Sequence, residues 1–210
     1  MTPTFPKNLF FDLDGTLFRS EEDIRTTWKD TLAEMKIDCP QFNSIFRVGP
    51  SLQQVQSMLF PNISDETRIR MFNLFKGKYD TSSLPNTAPY DGIGSWLTAL
   101  HGQGHRLFTM TNKRLRPTMM LVKRNGWEPI FSRIYGGDSI PGKKATKSEL
   151  LTFALTEMGI APGDAIIFGD TDEDITAGKT TGLKTCFCDW GYGNCTQPTD
   201  FTLSLKEIKK

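Results

Sequence analysis

Four groups of polar residues in this chain stand next to segments that are apolar enough to be buried. They are Asp12 and Asp14 after LFF, Thr111 and Asn112 after LFTM, the lysines Lys143, Lys144 and Lys147 before an amphipathic segment, and Asp170, Asp172 and Asp174 after AIIFG. Carboxylates that lie within a few ångströms of one another repel unless a cation neutralises them. Mg²⁺ prefers such hard oxygen ligands, and lysine, hydroxyl and amide groups suit a phosphoryl group. These residue types favour a magnesium site beside a phosphoryl-binding site.

Each group also has a simpler explanation when it is taken alone. A D-x-D pair is commonly a turn, Thr111 with Asn112 fits a turn at a strand end, and Lys147 fits a solvated lysine at a helix start. The run DTDEDI has acids at the first, third and fifth positions of an EF-hand calcium loop. Ile175 and Thr181 occupy the positions that require Gly and Glu, so a calcium loop is excluded.

The elements that would position these groups follow from the pattern of apolar residues. Most apolar runs are continuous rather than alternating, which is typical of parallel strands buried on both faces. Helical patterns separate them, so we predict an α/β fold, an open parallel Rossmann-like sheet flanked by helices. Ligands of such sheets bind at the carboxyl ends of the strands, where the polar groups would converge. The predicted strands are 8–13, 106–111, 131–137, 165–170 and 183–190, and 200–208 is a candidate for a last short strand.

One region interrupts this alternation of strands and helices. Residues 19–86 contain no clear strand but three helical patterns, two of which begin at serines that suit an N-cap. We therefore predict an all-helical cap (residues 19–86) inserted into a core of residues 1–18 and 87–210. Because the insert leaves the core at the end of the first strand, it is placed to act as a lid over the site.

Composition narrows the classes of partner. The 210-residue chain is 38% hydrophobic and 23% charged with a formal net charge of +1, so no overall field favours nucleic acid or an anionic membrane. No apolar run is long enough to cross a bilayer, and the N-terminus shows no signal-peptide pattern. The four cysteines match no common zinc spacing and are typical of reduced thiols, so we expect a cytoplasmic protein.

Four segments resemble, in order, the motifs of the haloacid dehalogenase-like superfamily of phosphohydrolases. FFDLDGTL matches the first motif, D-x-D-G-T, and FTMTN resembles the second, a strand that ends in Ser or Thr. The lysine that opens KSELL resembles the third motif, and IIFGDTDEDITAG resembles the fourth. APYDGIGSWLTAL and WGYG look like the phosphoglycolate phosphatase-like branch, whose members carry a small helical cap of the C1 type.

The resemblance implies a role for each acid. Asp12 would attack phosphorus and become an aspartyl phosphate, and Asp14 would protonate the leaving oxygen and later accept a proton from water. Mg²⁺ would be held by Asp12, by the backbone carbonyl of Asp14 and by Asp170. Asp174 would hold metal-bound waters or Lys147.

The resemblance also implies a phosphate-binding set. Thr111 and the backbone of Asn112 would bind phosphate oxygens. Gly15 and Thr16, which let the chain leave the strand sharply, are further candidate phosphate-binding residues. An active-site lysine would neutralise charge on the nucleophile and the phosphoryl group. Lys143, Lys144 and Lys147 all compete for this role, and we prefer Lys147 because it immediately precedes the amphipathic helix.

Two arginines are candidate substrate contacts. Arg19 lies near the predicted hinge of the cap, where many relatives have an acid, and Arg47 lies in the cap loop FRVGPSL; a solvated arginine explains each position equally well.

The function that the resemblance implies is Mg²⁺-dependent hydrolysis of a small phosphorylated metabolite, with 2-phosphoglycolate as the leading substrate. A phosphomutase of the β-phosphoglucomutase type, a pyrophosphatase and a nucleotidase remain alternatives. A non-enzymatic phosphoryl switch is disfavoured, because receiver domains lack both the second acid and a helical lid. The expected partner is a small phosphorylated molecule rather than nucleic acid or a membrane, and the protein would be a monomer or a homodimer.

Overall fold

The computed structural model describes residues 4–143 and 145–209. Its strands are β1 (Asn8–Phe11), β2 (Phe18–Arg19), β3 (Ala88–Pro89), β4 (Arg106–Met110), β5 (Phe131–Tyr135), β6 (Ala165–Gly169), β7 (Lys184–Cys188) and β8 (Phe201–Leu203). Its α-helices are α1 (Glu21–Glu34), α2 (Phe42–Ile45), α3 (Leu52–Leu59), α4 (Asp65–Thr81), α5 (Ile93–Gly102), α6 (Leu115–Arg124), α7 (Lys147–Met158), α8 (Asp172–Thr181) and α9 (Leu205–Ile208).

Six of the strands form one parallel sheet in the order β5-β4-β1-β6-β7-β8. The central strand β1 pairs with β4 on one side and with β6 on the other. Its successive side chains point to opposite faces, and both faces are covered: Leu9 and Phe11 pack with α5 and α6, while Phe10 packs with α7 and α8. This double burial explains why the strands are continuously apolar in sequence, and it confirms the predicted fold class.

The helical cap enters and leaves the core through a two-stranded antiparallel ribbon. Phe18 of β2 pairs with Pro89 of β3, and helices α1 to α4 lie between these two strands. Within the cap, α1 packs against α4 through the rings of Trp28 and Phe75, whose centroids are 4.9 Å apart. The ribbon was not predicted from the sequence, because two residues per strand leave no periodic signal.

The strand bounds differ from the sequence prediction mainly at the carboxyl ends. The strand predicted for 8–13 ends at Phe11, so Asp12 and the turn that follows lie just beyond it. The segment 200–208 divides into the strand β8 and the helix α9. Across the described part of the chain, no helix is both long and apolar enough to cross a membrane.

Candidate active site

Three buried carboxylates meet at the carboxyl ends of two neighbouring strands. Asp12 follows β1, Asp170 follows β6, and Asp174 lies in the first turn of α8. Each offers an oxygen atom within 4.8 Å of those of the other two. The three residues are between 0% and 5% exposed. Because β1 and β6 run parallel and in register, their carboxyl ends deliver the first two acids to one place.

Lys147 is the cation of this acid cluster. Its Nζ atom lies 2.8 Å from Oδ1 of Asp12 and also donates a hydrogen bond to Asp174. The lysine is the first residue of α7, whose start is fixed by a capping box between Thr146 and Glu149. Although burial disfavours its charged form, the carboxylates of Asp12 and Asp174 hold the pKa of Lys147 well above its usual value.

The acid cluster carries more negative charge than Lys147 neutralises. Burial raises the pKa of Asp12 well above its usual value, against the opposing effect of Lys147 and with added repulsion from Asp174. Burial and the same repulsion raise the pKa of Asp170 to about 6. Three carboxylates face one ammonium group, and all of the donors are hard oxygens. This donor set fits Mg²⁺, which would remove the repulsion.

Asp170 is oriented from two sides. The backbone N–H groups of Tyr192 and Gly193 donate to its Oδ2 atom at 2.7 and 3.2 Å, and the hydroxyl of Thr16 donates to its Oδ1 atom at 3.2 Å. Thr16, predicted to bind phosphate, thus has its hydroxyl directed at this carboxylate. Gly15, with a φ of +91°, passes so close that a Cβ atom there would lie 2.2 Å from Asp170.

The second strand-end group lies beside the first. Thr111 follows β4, the neighbour of β1, and is buried. The Asn112 side chain donates to Glu173 at 3.1 Å and to the backbone oxygen of Gly49 in the helical cap at 3.3 Å. Asn112 therefore joins the core to the cap loop, in addition to the predicted role of its backbone.

The remaining predicted residues fall in different places. Lys143 is exposed and pairs with Glu149 at 2.7 Å, and Lys144 lies outside the described residues. Arg47 lines the cavity described next. Arg19 lies away from that cavity, with its guanidinium 4.8 Å from the centre of the Tyr90 ring.

A cavity of about 100 Å³ lies between the helical cap and the core. Asp14 reaches it from the core side, and the cap supplies mostly apolar walls. Oδ1 of Asp14 lies 3.0 Å from Nζ of Lys113, whose side chain is buried. The lining residues are Asp14, Ile24, Trp28, Arg47, Val48, Gly49, Pro50, Ser51, Leu52, Val55, Phe75, Lys76, Tyr79, Asp80, Asn112, Lys113 and Arg114.

Comparison with known proteins identifies this arrangement. The family model described as haloacid dehalogenase-like hydrolase matches residues 9–188, which include the whole acid cluster. The chain belongs to this family. The resemblance predicted from the four motifs is thereby confirmed.

Three similar proteins place this haloacid dehalogenase-like hydrolase among phosphatases. A phosphoglycolate phosphatase of Aquifex aeolicus is 33% identical over 198 residues, which cover 93% of this chain and 91% of the relative. A 5'-nucleotidase of Pseudomonas aeruginosa is 28% identical, covering 97% of this chain and 94% of the relative. A predicted phosphatase from Clostridium acetobutylicum, known from its crystal structure, is 25% identical in sequence and superposes with a TM-score of 0.86. The match covers 98% of this chain and 97% of that protein. The prediction of an enzyme is confirmed.

Sequence reasoning missed Lys113 as a site residue. Lys113 stands in a run of basic residues that is typical of a solvated helix face, but α6 begins only at Leu115, after Arg114 as its N-cap. Lys113 instead lies in the turn that follows β4 and reaches into the cavity. The available signal was its place two residues beyond Thr111, at the carboxyl end of a buried strand.

Proposed function

We propose that this hydrolase is a Mg²⁺-dependent phosphatase that cleaves small phosphomonoesters through an aspartyl phosphate on Asp12. The main support is the buried cluster of Asp12, Asp170, Asp174 and Lys147, whose surplus negative charge calls for a divalent cation. Mg²⁺ held by the carboxylates of Asp12 and Asp170 and by the carbonyl of Asp14 would neutralise charge on the phosphoryl oxygens.

In the first step an Asp12 oxygen forms a bond to phosphorus while the bond from phosphorus to the leaving oxygen breaks. Asp14 transfers its proton to that oxygen, so an alcohol leaves and a carboxylate remains. Lys147, 2.8 Å from Oδ1 of Asp12, orients the nucleophile and offsets the negative charge that collects around it. The Thr111 hydroxyl and the Asn112 N–H would hold the phosphoryl oxygens.

In the second step Asp14 accepts a proton from a water molecule, whose oxygen attacks phosphorus. The bond from phosphorus to Asp12 breaks, phosphate leaves, and both carboxyl groups return to their starting states. One acid therefore serves as acid and then as base. Asp14 lines the cavity, so a leaving group or a water molecule held there would be within its reach.

The leading substrate is 2-phosphoglycolate. Its support is the cavity, which at about 100 Å³ is far smaller than the pockets that hold drug-sized ligands and suits a two- or three-carbon ester. Arg47 and Lys76 line the same cavity and could face a second anionic group. The name of the Aquifex aeolicus relative agrees with this choice.

A nucleotidase is the second candidate substrate class. The cap walls include Trp28 and Phe75, against which a base could stack, and the Pseudomonas aeruginosa relative is named a 5'-nucleotidase. A nucleotide would need a wider cavity, and therefore a different cap position. Mutase and pyrophosphatase activity stay as alternatives that the same core would support.

We also propose that the helical cap (residues 19–86) is a separate domain that moves as a lid against the core of residues 1–18 and 87–210. The ribbon of β2 and β3 would form its hinge. The four cysteines are free thiols, which agrees with a reducing compartment, and we propose that the enzyme acts in the cytoplasm as a monomer or homodimer.

The proposal is tested by phosphate release from p-nitrophenyl phosphate with Mg²⁺. We expect turnover in the wild type and its loss in Asp12→Asn, in Asp14→Asn and after treatment with EDTA, with recovery when Mg²⁺ is restored. Full activity of Asp12→Asn would refute the mechanism.

The substrate is tested separately with a panel of phosphorylated two- and three-carbon acids, sugar phosphates, nucleotides and pyrophosphate. We expect the highest kcat/KM for 2-phosphoglycolate. A value no higher than that for p-nitrophenyl phosphate would reject this substrate, and product that keeps its phosphate would indicate a mutase.

A further inference from the structure

Three consecutive side chains of the core reach the helical cap directly after the strand end that carries Thr111. This bridging segment, residues 112–114, is held on the core side by the two glycines that follow β5. The N–H of Gly137 donates to the Lys113 carbonyl at 2.8 Å, and a Cβ atom on Gly136 would lie 2.8 Å from the same oxygen. Its cap contacts are Asn112 to the Gly49 carbonyl, Lys113 to the Tyr79 phenol oxygen and Arg114 to the Asp80 carboxylate.

Lys113 differs from its two neighbours because it also contacts Asp14, which serves as both acid and base in the proposed mechanism. Its side chain is 2% exposed, and its Nζ atom lies 3.0 Å from Oδ1 of Asp14. A buried ammonium group is costly unless charged or polar partners surround it. The second partner is Tyr79, which accepts a hydrogen bond from Nζ and places its ring centre 4.6 Å from that atom.

Tyr79 is itself held by the packing of the cap. It is 5% exposed, and its ring stacks on Phe75 of the same helix at a centroid distance of 5.4 Å. Phe75 in turn packs against Trp28 of α1. The cap therefore fixes the position of the phenol oxygen, and a movement of the cap relative to the core would carry that oxygen away from Lys113.

We infer that Lys113 is a positioning residue for Asp14, and that Tyr79 completes its placement only when the helical cap lies against the core. This inference deepens the proposed function and rests on it. The contact chain Tyr79–Lys113–Asp14 is continuous from the cap to the proton-transferring carboxyl group. Cap closure thus assembles the acid at the same time as it closes the cavity.

The physical role of Lys113 is to stabilise charge that develops during the reaction. When the bond from phosphorus to the leaving oxygen breaks, its electron pair stays on that oxygen, which takes the Asp14 proton. Asp14 becomes a carboxylate beside largely apolar walls, and an ammonium group held 3.0 Å away stabilises it there. A poor leaving group needs more of this proton transfer in the transition state, so it depends more strongly on Lys113.

The test compares two esters of one shape, phenyl phosphate and p-nitrophenyl phosphate, of which the first has the poorer leaving group. The readout is kcat/KM, which covers the reaction through release of the first product. In Tyr79→Phe we expect a drop of about tenfold for phenyl phosphate but of at most about twofold for p-nitrophenyl phosphate, a fraction of the full effect of a general acid.

Asp80→Asn is the matched control. It removes the neighbouring contact between cap and core, to Arg114, without touching Lys113 or Asp14. We expect it to lower kcat/KM for both esters by the same factor, so that their ratio stays at the wild-type value.

Equal losses for both esters in Tyr79→Phe, or the same change of ratio in Asp80→Asn, would overturn the inference while leaving the phosphatase proposal intact. Lys113→Met should change the ratio at least as much as Tyr79→Phe. If circular dichroism shows that Lys113→Met does not fold, the Tyr79→Phe ratio decides alone. A wild type that hydrolyses neither ester would refute the proposed function, and the inference with it.

Discussion

At the scale of single residues, the geometry of the acid cluster depends on contacts that leave little freedom. Gly15 combines a left-handed backbone with a close approach to Asp170, so a side chain is excluded for two independent reasons. Asp12, Lys147 and Asp174 form a bonded series in which each carboxylate contacts the lysine. The D-x-D-G-T pattern revealed the glycine, but the carboxylate of Asp170 that it accommodates follows β6, which neighbours β1 in the sheet but lies far from it in the sequence.

Gly15→Ala should both destabilise the protein and remove its activity. The left-handed φ and the contact at 2.2 Å predict a loss of about 1–3 kcal/mol in the free energy of unfolding. Urea unfolding and p-nitrophenyl phosphate hydrolysis measure the two effects. Gly77→Ala in α4 is the control, because nothing lies within 4 Å of a Cβ atom at that position. This substitution should raise the free energy of unfolding by up to about 1 kcal/mol. Equal effects of the two substitutions would contradict this account of the turn.

Asp170 should make the metal-free protein less stable as the pH rises. Its pKa is about 6 in the folded state against about 3.9 in an unfolded chain, so the folded state holds the proton more tightly. The protonated carboxyl is favourable below pH 4, and this advantage disappears as the pH rises through 6.

The measurement is the difference in the free energy of unfolding between Asp170→Asn and wild type, both in EDTA. From pH 4 to pH 7 this difference should shift in favour of the variant by about 2 kcal/mol. A difference that does not depend on pH, or that shifts in favour of the wild type, would contradict this assignment.

At the scale of elements, the β2 and β3 ribbon is connected by hydrogen bonds to the first helix of the cap. Asp23 of α1 is buried, and its carboxylate accepts hydrogen bonds from the backbone N–H of Asn86 at 3.1 Å and from the hydroxyl of Thr87 at 2.6 Å. The phenol oxygen of Tyr192 accepts from the N–H groups of Ser20 and Glu21 at the start of the same helix. Both chain crossings are therefore anchored where the cap meets the core.

Asp23→Ala should destabilise the protein by about 2–3 kcal/mol, because it leaves the buried hydroxyl of Thr87 and the N–H of Asn86 without their charged acceptor. Urea unfolding measures the loss. Glu22→Ala, an exposed neighbour on the same helix, should change stability by no more than about 0.5 kcal/mol. An effect of Asp23→Ala as small as that of the control would show that this anchor contributes little.

Prediction from the sequence succeeded where the signal is local. The sheet strands are continuously apolar because both faces are covered, and Asp12 and Asp170 directly follow β1 and β6 as the sequence predicts. It failed for the β2 and β3 ribbon. Its strands are only two residues long, and they pair across the whole length of the helical insert, so the sequence carries no local signal for them. It also failed for Lys113, whose burial depends on Tyr79 of the cap.

At the scale of the whole molecule, the site is divided between two parts of the chain. The core supplies the acid cluster and Asp14, whereas the cap supplies most of the walls of the cavity. Metal binding should therefore need the core alone, and substrate discrimination should need the cap.

Replacement of residues 20–86 by a short Gly/Ser linker tests this division. We expect a folded core that still binds Mg²⁺ in titration calorimetry but no longer discriminates among phosphomonoesters. The same deletion with Asp170→Asn is the control and should not bind the metal. Failure of the deleted protein to fold would argue against a separate cap domain.

The central claim, that Asp12 carries the phosphoryl group while Asp14 moves the protons, is tested most directly in Asp14→Asn with p-nitrophenyl phosphate and Mg²⁺. This ester has a good leaving group, so Asp12 should still be phosphorylated, while hydrolysis of the aspartyl phosphate should stall without its base. We predict a burst of one p-nitrophenolate per enzyme and a phosphoryl group mapped to Asp12 by peptide mass spectrometry. A phosphoryl group on another residue, or steady turnover at the wild-type rate, would contradict the account.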